Sequence, residues 1–93
     1  VPVLSFKTFD EVIERANDND LGLCSYVYTN SMEQAHKASE LMETGCVAVN
    51  TAAVAVAEAP FGGIKQTGYG REGGSMAIKD YLNIKYTHLG LKN

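Results

Sequence analysis

The chain has no basic stripe, no block of like charges and no apolar run near the roughly 18 residues that a membrane-crossing helix needs. Eight Lys and Arg stand against 11 Asp and Glu, for a net charge of −3. That balance lacks the electrostatic footprint of a nucleic-acid binder and the charge runs of a disordered tail. Neither nucleic acid nor a membrane is an expected partner. Cysteine is scarce as well. Cys24 and Cys46 are the only two, and neither belongs to a C-x-x-C motif. In apolar surroundings they read as buried free thiols of a reducing compartment, so the expected location is cytoplasmic. Nothing in the sequence pairs them. His36 and His88 are far apart, no metal-ligand spacing is present, and no metal site is expected. The opening V-P-V-L-S-F-K lacks the basic flank and long apolar core of a signal peptide. It also lacks an initiating Met, which reads as a start inside a longer chain.

What is present is the composition of one small globular domain, with 45% hydrophobic and 20% charged residues in a length of 93. A chain this short buries a modest fraction of its surface and is marginal on its own. Val3 to Phe6 reads as a short strand. Thr8 and Glu11 form a capping box ahead of Val12, Ile13 and Ala16, which share a helical face. Leu23 to Tyr28 is rich in aromatic and β-branched residues and reads as a strand. Asn30 and Glu33 suggest a second capping box, before an apolar stripe of Ala35, Ala38, Leu41 and Met42 that stops at Gly45. Cys46 to Val49 is nearly all apolar, as expected of a strand covered on both faces. Ser75 is a candidate cap for a third helix, and Ile84 to Leu91 alternates like a final strand. The order β-α-β-α-β-loop-α-β predicts an α/β layer with mostly parallel strands.

Residues 50 to 74 are irregular. A loop of that length is usually functional or disordered. Six of the nine glycines lie in Ala59 to Gly74, which reads A-P-F-G-G-I-K-Q-T-G-Y-G-R-E-G-G. Gly68 to Gly73 is literally G-x-G-x-x-G. In a dinucleotide fold that motif directly follows a strand and opens a helix, with an acidic residue about 20 positions on. Here the preceding strand ends near Val49, and only Lys92 and Asn93 remain where the acid would fall. These glycines therefore read as tight turns and close packing.

The fuller signature, Pro60-Phe61-Gly62-Gly63-x-Lys65-x-Thr67-Gly68-x-Gly70-Arg71-Glu72, resembles the C-terminal segment of the aldehyde dehydrogenase superfamily. The opening through Asp18, the strand Leu21 to Tyr28, the strand Cys46 to Asn50 and the ending Asp80 to Tyr86 resemble that family's elements in the same order. The Ala59 to Lys65 stretch and the I-K-Y ending are most similar to the succinate-semialdehyde dehydrogenase branch, with α-ketoglutaric semialdehyde enzymes next. The fold this implies is the C-terminal part of the catalytic domain over residues 1–83, followed by a terminal strand of an oligomerisation sheet over 84–93.

The resemblance implies NAD- or NADP-dependent oxidation of a short carboxylated aldehyde to its acid. A cysteine nucleophile, a general-base Glu, an oxyanion-hole Asn and the cofactor fold act in that family. All of these match positions upstream of this segment, so the resemblance implies no catalytic and no cofactor-binding residue here, and an inactive isolated chain. Its partners would be the remainder of the enzyme chain, the aldehyde, and further copies in a dimer or tetramer. Residues 50 to 61 correspond to the loop that shapes the aldehyde tunnel. Phe61 corresponds to a ring lining it, although a core anchor for the glycine loop is the plainer reading. Val56 stands where carboxylate-recognising relatives carry Ser, and a Val methyl cannot hydrogen-bond a carboxylate. Lys65 reads as a solvated lysine or an attractor of anionic substrate. Arg71 and Glu72 read as an ion pair or as a tie to the glycine-loop backbone. The alternative function is a non-catalytic interaction module that keeps this fold and recruits a partner through its apolar loop and last strand.

Overall fold

A computed structural model describes residues 1–92. The first element is α1 (Phe9–Asn17), and its start follows from the cap. Thr8 Oγ1 accepts from the Glu11 backbone N–H at 3.2 Å. The Glu11 carboxylate reaches back to the Lys7 N–H at 2.9 Å, one residue ahead of the cap itself. That backbone bond, followed by the Arg15 guanidinium, holds Glu11 below the usual carboxylate range. Arg15 also donates to the Ser5 carbonyl at 2.9 Å, which pins the leading segment along the helix. That segment forms no strand, contrary to the expectation for Val3 to Phe6. Its backbone finds no neighbouring strand to pair with, and Val3, Leu4 and Phe6 are exposed.

Next come β1 (Leu21–Gly22), β2 (Cys24–Val27), α2 (Met32–Leu41) and β3 (Cys46–Val49). Strands β2 and β3 pair in parallel, with Cys24 opposite Cys46 and Val27 opposite Val49. A parallel pair needs a crossover, and α2 supplies it. The cap of α2 is Ser31 rather than Asn30: its hydroxyl accepts from the Gln34 N–H at 3.3 Å. Thr29 settles the choice, because its hydroxyl receives the Ser31 N–H at 3.1 Å and donates to Gln34 Oε1 at 2.9 Å. The helix stops at Leu41 with Met42 in extended conformation, so Gly45 is not its C-terminal glycine.

Gly45 has a different task. A Cβ at this position would collide with the Gly62 carbonyl oxygen. The glycine loop thus lies directly on the backbone that leads into β3. From there it pairs as β4 (Ile64–Lys65) antiparallel to β1, Leu21 opposite Lys65 and Gly22 opposite Ile64. The sheet is therefore not mostly parallel. One two-stranded pair is parallel and the other antiparallel, because the loop returns along the chain that precedes β2.

Residues Ala77–Tyr81 form a short 3₁₀ turn without a side-chain cap, in place of the expected Ser75-capped helix. Residues 84 to 92 carry no strand and are exposed, since nothing lies beside them. Asn93, the end of the expected terminal strand, lies outside the described residues. The radius of gyration is 19.2 Å, whereas a compact chain of this length has about 12 Å. The fully shielded side chains are small: Ala38, Ala48 and Ser25. Larger apolar groups such as Tyr26, Tyr28 and Leu41 face outward, as on an α/β layer that more protein covers.

The Gly45–Gly62 contact generates a prediction. Gly45→Ala in the intact protein forces the two backbones apart and should cost at least about 1–3 kcal/mol, as overpacking does. Gly90→Ala, where an added Cβ meets nothing within 4 Å, is the control. Thermal unfolding of the two variants checks this. Equal midpoints would show that the glycine loop does not sit on Gly45.

Candidate functional site

The site is built by the way the chain leaves β3 and comes back. Asn50 turns it, with φ of 56°. Asn tolerates this left-handed conformation because its short amide bonds locally. Here Oδ1 accepts from the Thr29 N–H at 2.9 Å and Nδ2 donates to the Thr29 carbonyl at 3.0 Å. The side chain thus continues the β2–β3 pairing for one more residue while the backbone departs. The loop that follows is tied down by its glycines. Phe61 and Glu72 exchange backbone hydrogen bonds at 2.7 and 2.8 Å. Gly74 N–H donates to the Ala57 carbonyl at 2.8 Å. Gly73 and Gly74 have φ of 72° and 62°, and a Cβ on Gly73 would lie 2.9 Å from the Ala59 carbonyl oxygen. Only glycine fits this close return.

The return brings Val56 and Phe61 together. With Ala55, Ala57, Glu72 and Gly73 they line a cavity of about 320 Å³. Phe61 is half-buried, and Val56 is 52% exposed. Phe61 also borders a second hollow of about 290 Å³ on the other flank of the loop, edged by Thr67, Tyr69 and Arg71. The ring is therefore both a wall and a loop anchor. The lining of the first cavity is methyl groups, one ring and one acidic residue. It can lie against an apolar stem, and Val56 offers no hydrogen bond to a distal anion.

The other singled-out residues are structural. Lys65 adopts φ of 55°. Its ammonium donates to the Asn17 and Asn19 carbonyls at 2.9 and 3.1 Å and pairs with Glu43 at 2.7 Å. It caps the C-terminal end of α1, where a cation is favoured. It is neither a free solvated lysine nor placed at the cavity. Arg71 donates to the Gly70 carbonyl at 2.8 Å, so the tie to the loop backbone is the reading that holds. Its backbone N–H is taken by the Asp80 carboxylate at 3.0 Å. That carboxylate lies where the motif would have to receive a phosphate, and no helix opens there. The glycine loop does not fit a dinucleotide. His36 is exposed on α2, and His88 Nδ1 lies 3.1 Å from the Tyr86 hydroxyl.

Two residues escaped the sequence reading. Asp80 organises the loop from outside the motif, and its only sequence signal is an acidic residue next to Tyr81. Asn17 bridges the ends of both helices, donating to Leu41 O at 2.8 Å and accepting from Glu43 N at 2.9 Å. An Asn in a polar turn gives no hint of a partner so distant.

Comparison with known proteins fits this architecture. A model described as the aldehyde dehydrogenase family matches residues 1–87. The chain is 51% identical to 3-sulfolactaldehyde dehydrogenase of Pseudomonas putida, covering 96% of this chain and 18% of that protein. It is 44% identical to the mitochondrial succinate-semialdehyde dehydrogenase of Arabidopsis thaliana, covering 99% of this chain and 17% of that one. The NAD⁺ complex of aldehyde dehydrogenase from Bacillus cereus superimposes with a TM-score of 0.87 at 39% identity, over 96% of this chain and 18% of that one. The chain thus spans under a fifth of the relatives' length. The match extends through both strand pairs and the glycine loop, and the chain belongs to the aldehyde dehydrogenase family.

Proposed function

We propose that this chain is the C-terminal part of the catalytic domain of an NAD- or NADP-dependent enzyme. That enzyme oxidises a short aldehyde with a distal anion, of the succinate-semialdehyde type, to the corresponding acid. The observation that carries the reading is the cavity in which Val56 and Phe61 meet. The names of two relatives support the substrate class. Sulfolactaldehyde and succinate semialdehyde are both short aldehydes with an anion away from the reacting carbon.

In this reading the chain supplies shape rather than chemistry. A nicotinamide cofactor held elsewhere in the enzyme would supply the hydride acceptor when the aldehyde and water give the acid. Phe61 holds the carbon stem and keeps bulk water from it. Gly73 and Gly74 set the depth of the cavity by letting the backbone close on residues 57–60. Val56 faces the far end of the substrate. A methyl there in place of a hydroxyl withholds a hydrogen bond from a distal carboxylate and leaves room for a longer or less polar aldehyde. We place the protein in the cytoplasm, in keeping with the free thiols of Cys24 and Cys46. Residues 84–91 form a subunit contact: Ile84, Tyr86, Leu89 and Leu91 are exposed on an extended segment, whose backbone is free to pair with a partner strand.

Four outcomes follow. In the intact enzyme, Val56→Ser should raise kcat/KM for succinate semialdehyde by about 10-fold, the worth of one hydrogen bond to a charged group, and leave butanal unchanged. Phe61→Ala should lower kcat/KM for both. Equal responses of the two aldehydes to Val56→Ser would remove Val56 from the substrate wall. Residues 1–93 alone should form no NADH or NADPH from either aldehyde. Turnover by that chain would move the nucleophile to Cys24 or Cys46 and overturn the tunnel-wall reading. Removing residues 84–93 should reduce the assembly size in sedimentation, and an unchanged size would also be the result for a segment that serves no subunit contact.

A further inference from the structure

Cys24 and Cys46 are directly opposite each other across the parallel pair β2–β3. Neighbouring strands lie about 4.8 Å apart. That separation falls within the Cα spacing of about 4.4–6.8 Å that a disulfide spans. Residues in register also direct their side chains to the same face of the pair. Both thiols are free and half-buried. Cys46 Sγ lies 3.6 Å from the Gly62 carbonyl oxygen, so its S–H is a donor that tethers the glycine loop beside Phe61. We propose that Cys24 and Cys46 are a cross-strand thiol pair that a low-molecular-weight disulfide converts into an intrachain disulfide, with loss of the Cys46 tether to Gly62.

The exchange balances in two steps. The Cys46 thiolate attacks one sulfur of the small disulfide. Its S–S bond breaks, and the departing thiolate takes up the proton that Cys46 released. Cys24 then attacks the Cys46 sulfur of the mixed disulfide, expels the second small thiol and passes its proton to it. Two protein thiols are oxidised and one small disulfide is reduced to two thiols. Cys24 suits the second step. Burial first, and then the Cys46 thiolate, push its thiol above the ordinary range, and the latter influence disappears once Cys46 is in the mixed disulfide. A raised thiol is protonated at pH 7, so exchange is slow there. The thiolate is the attacking species, so the rate climbs with pH, by about tenfold per unit while the attacking thiol remains mostly protonated.

The test is incubation of the intact protein with oxidised glutathione at pH 7 and pH 9, alkylation of remaining thiols, trypsin digestion and mass spectrometry. Trypsin leaves Cys24 in peptide 16–37 and Cys46 in peptide 38–65. The expected result is these two peptides joined, with the loss of two hydrogens, faster at pH 9. Cys24→Ser should stop at glutathione on Cys46. Wild-type protein with glutathione retained on either cysteine and no joined peptide overturns the proposal. So does wild-type protein in which both thiols are recovered alkylated.

Discussion

Two glycine backbones in contact set the geometry of this chain. Gly45 precedes β3 and Gly62 follows Phe61, and no Cβ fits between them. Their approach puts the glycine loop across the edge of the βαβ unit instead of leaving it in solvent. Everything downstream uses that position. Ile64 and Lys65 reach β1, the Lys65 ammonium arrives at the end of α1, and Thr67 Oγ1 accepts from the Gly22 N–H at 2.6 Å. Phe61, next to the contact, is thereby fixed between two hollows. A side chain at Gly45 would separate the loop from the layer and take the cavity wall with it, whereas one at Gly62 would meet Gly70 and Arg71 within the loop itself.

The surface completes the picture. A parallel strand pair with one crossover helix has two faces to cover, and this chain covers neither with large side chains. Ala38, Ser25 and Ala48 fill the closest space, while Tyr26, Tyr28 and Leu41 point away. The layer leaves large apolar side chains exposed, and the chain spans a small share of its relatives' length. The same incompleteness explains why the Cys24–Cys46 pair is only half-buried.

Where local physics decides, the sequence was legible. The Thr8 cap, the apolar face of α1, and strands β2 and β3 follow from periodicity and side-chain type. The two outer strands were not, because a strand exists only with a partner: Val3 to Phe6 and Ile84 to Leu91 pair with nothing among the described residues. The Asn30-for-Ser31 shift came from two adjacent capping residues, with Thr29 casting the decision through a bond invisible in sequence. Gly45 looked like a helix stop because a close-packing glycine and a capping glycine are the same letter. At the site, Val56 and Phe61 were read by resemblance, and the glycine return supplies the physical reason that they meet. Lys65 was assigned the wrong role because its contacts are carbonyls 46 and 48 residues away.

Those long separations bear on the order in which the chain organises. The α1 and α2 turns close over a few residues, and β2 meets β3 through a single short crossover. The Gly22–Thr67 bond instead joins residues 45 apart, and its closure entropy is repaid only after the layer already stands. The loop that walls the cavity is therefore the last part to settle during folding. On a ribosome it would remain loose until its glycines had emerged, so this cavity is a late product of synthesis rather than a nucleus for it.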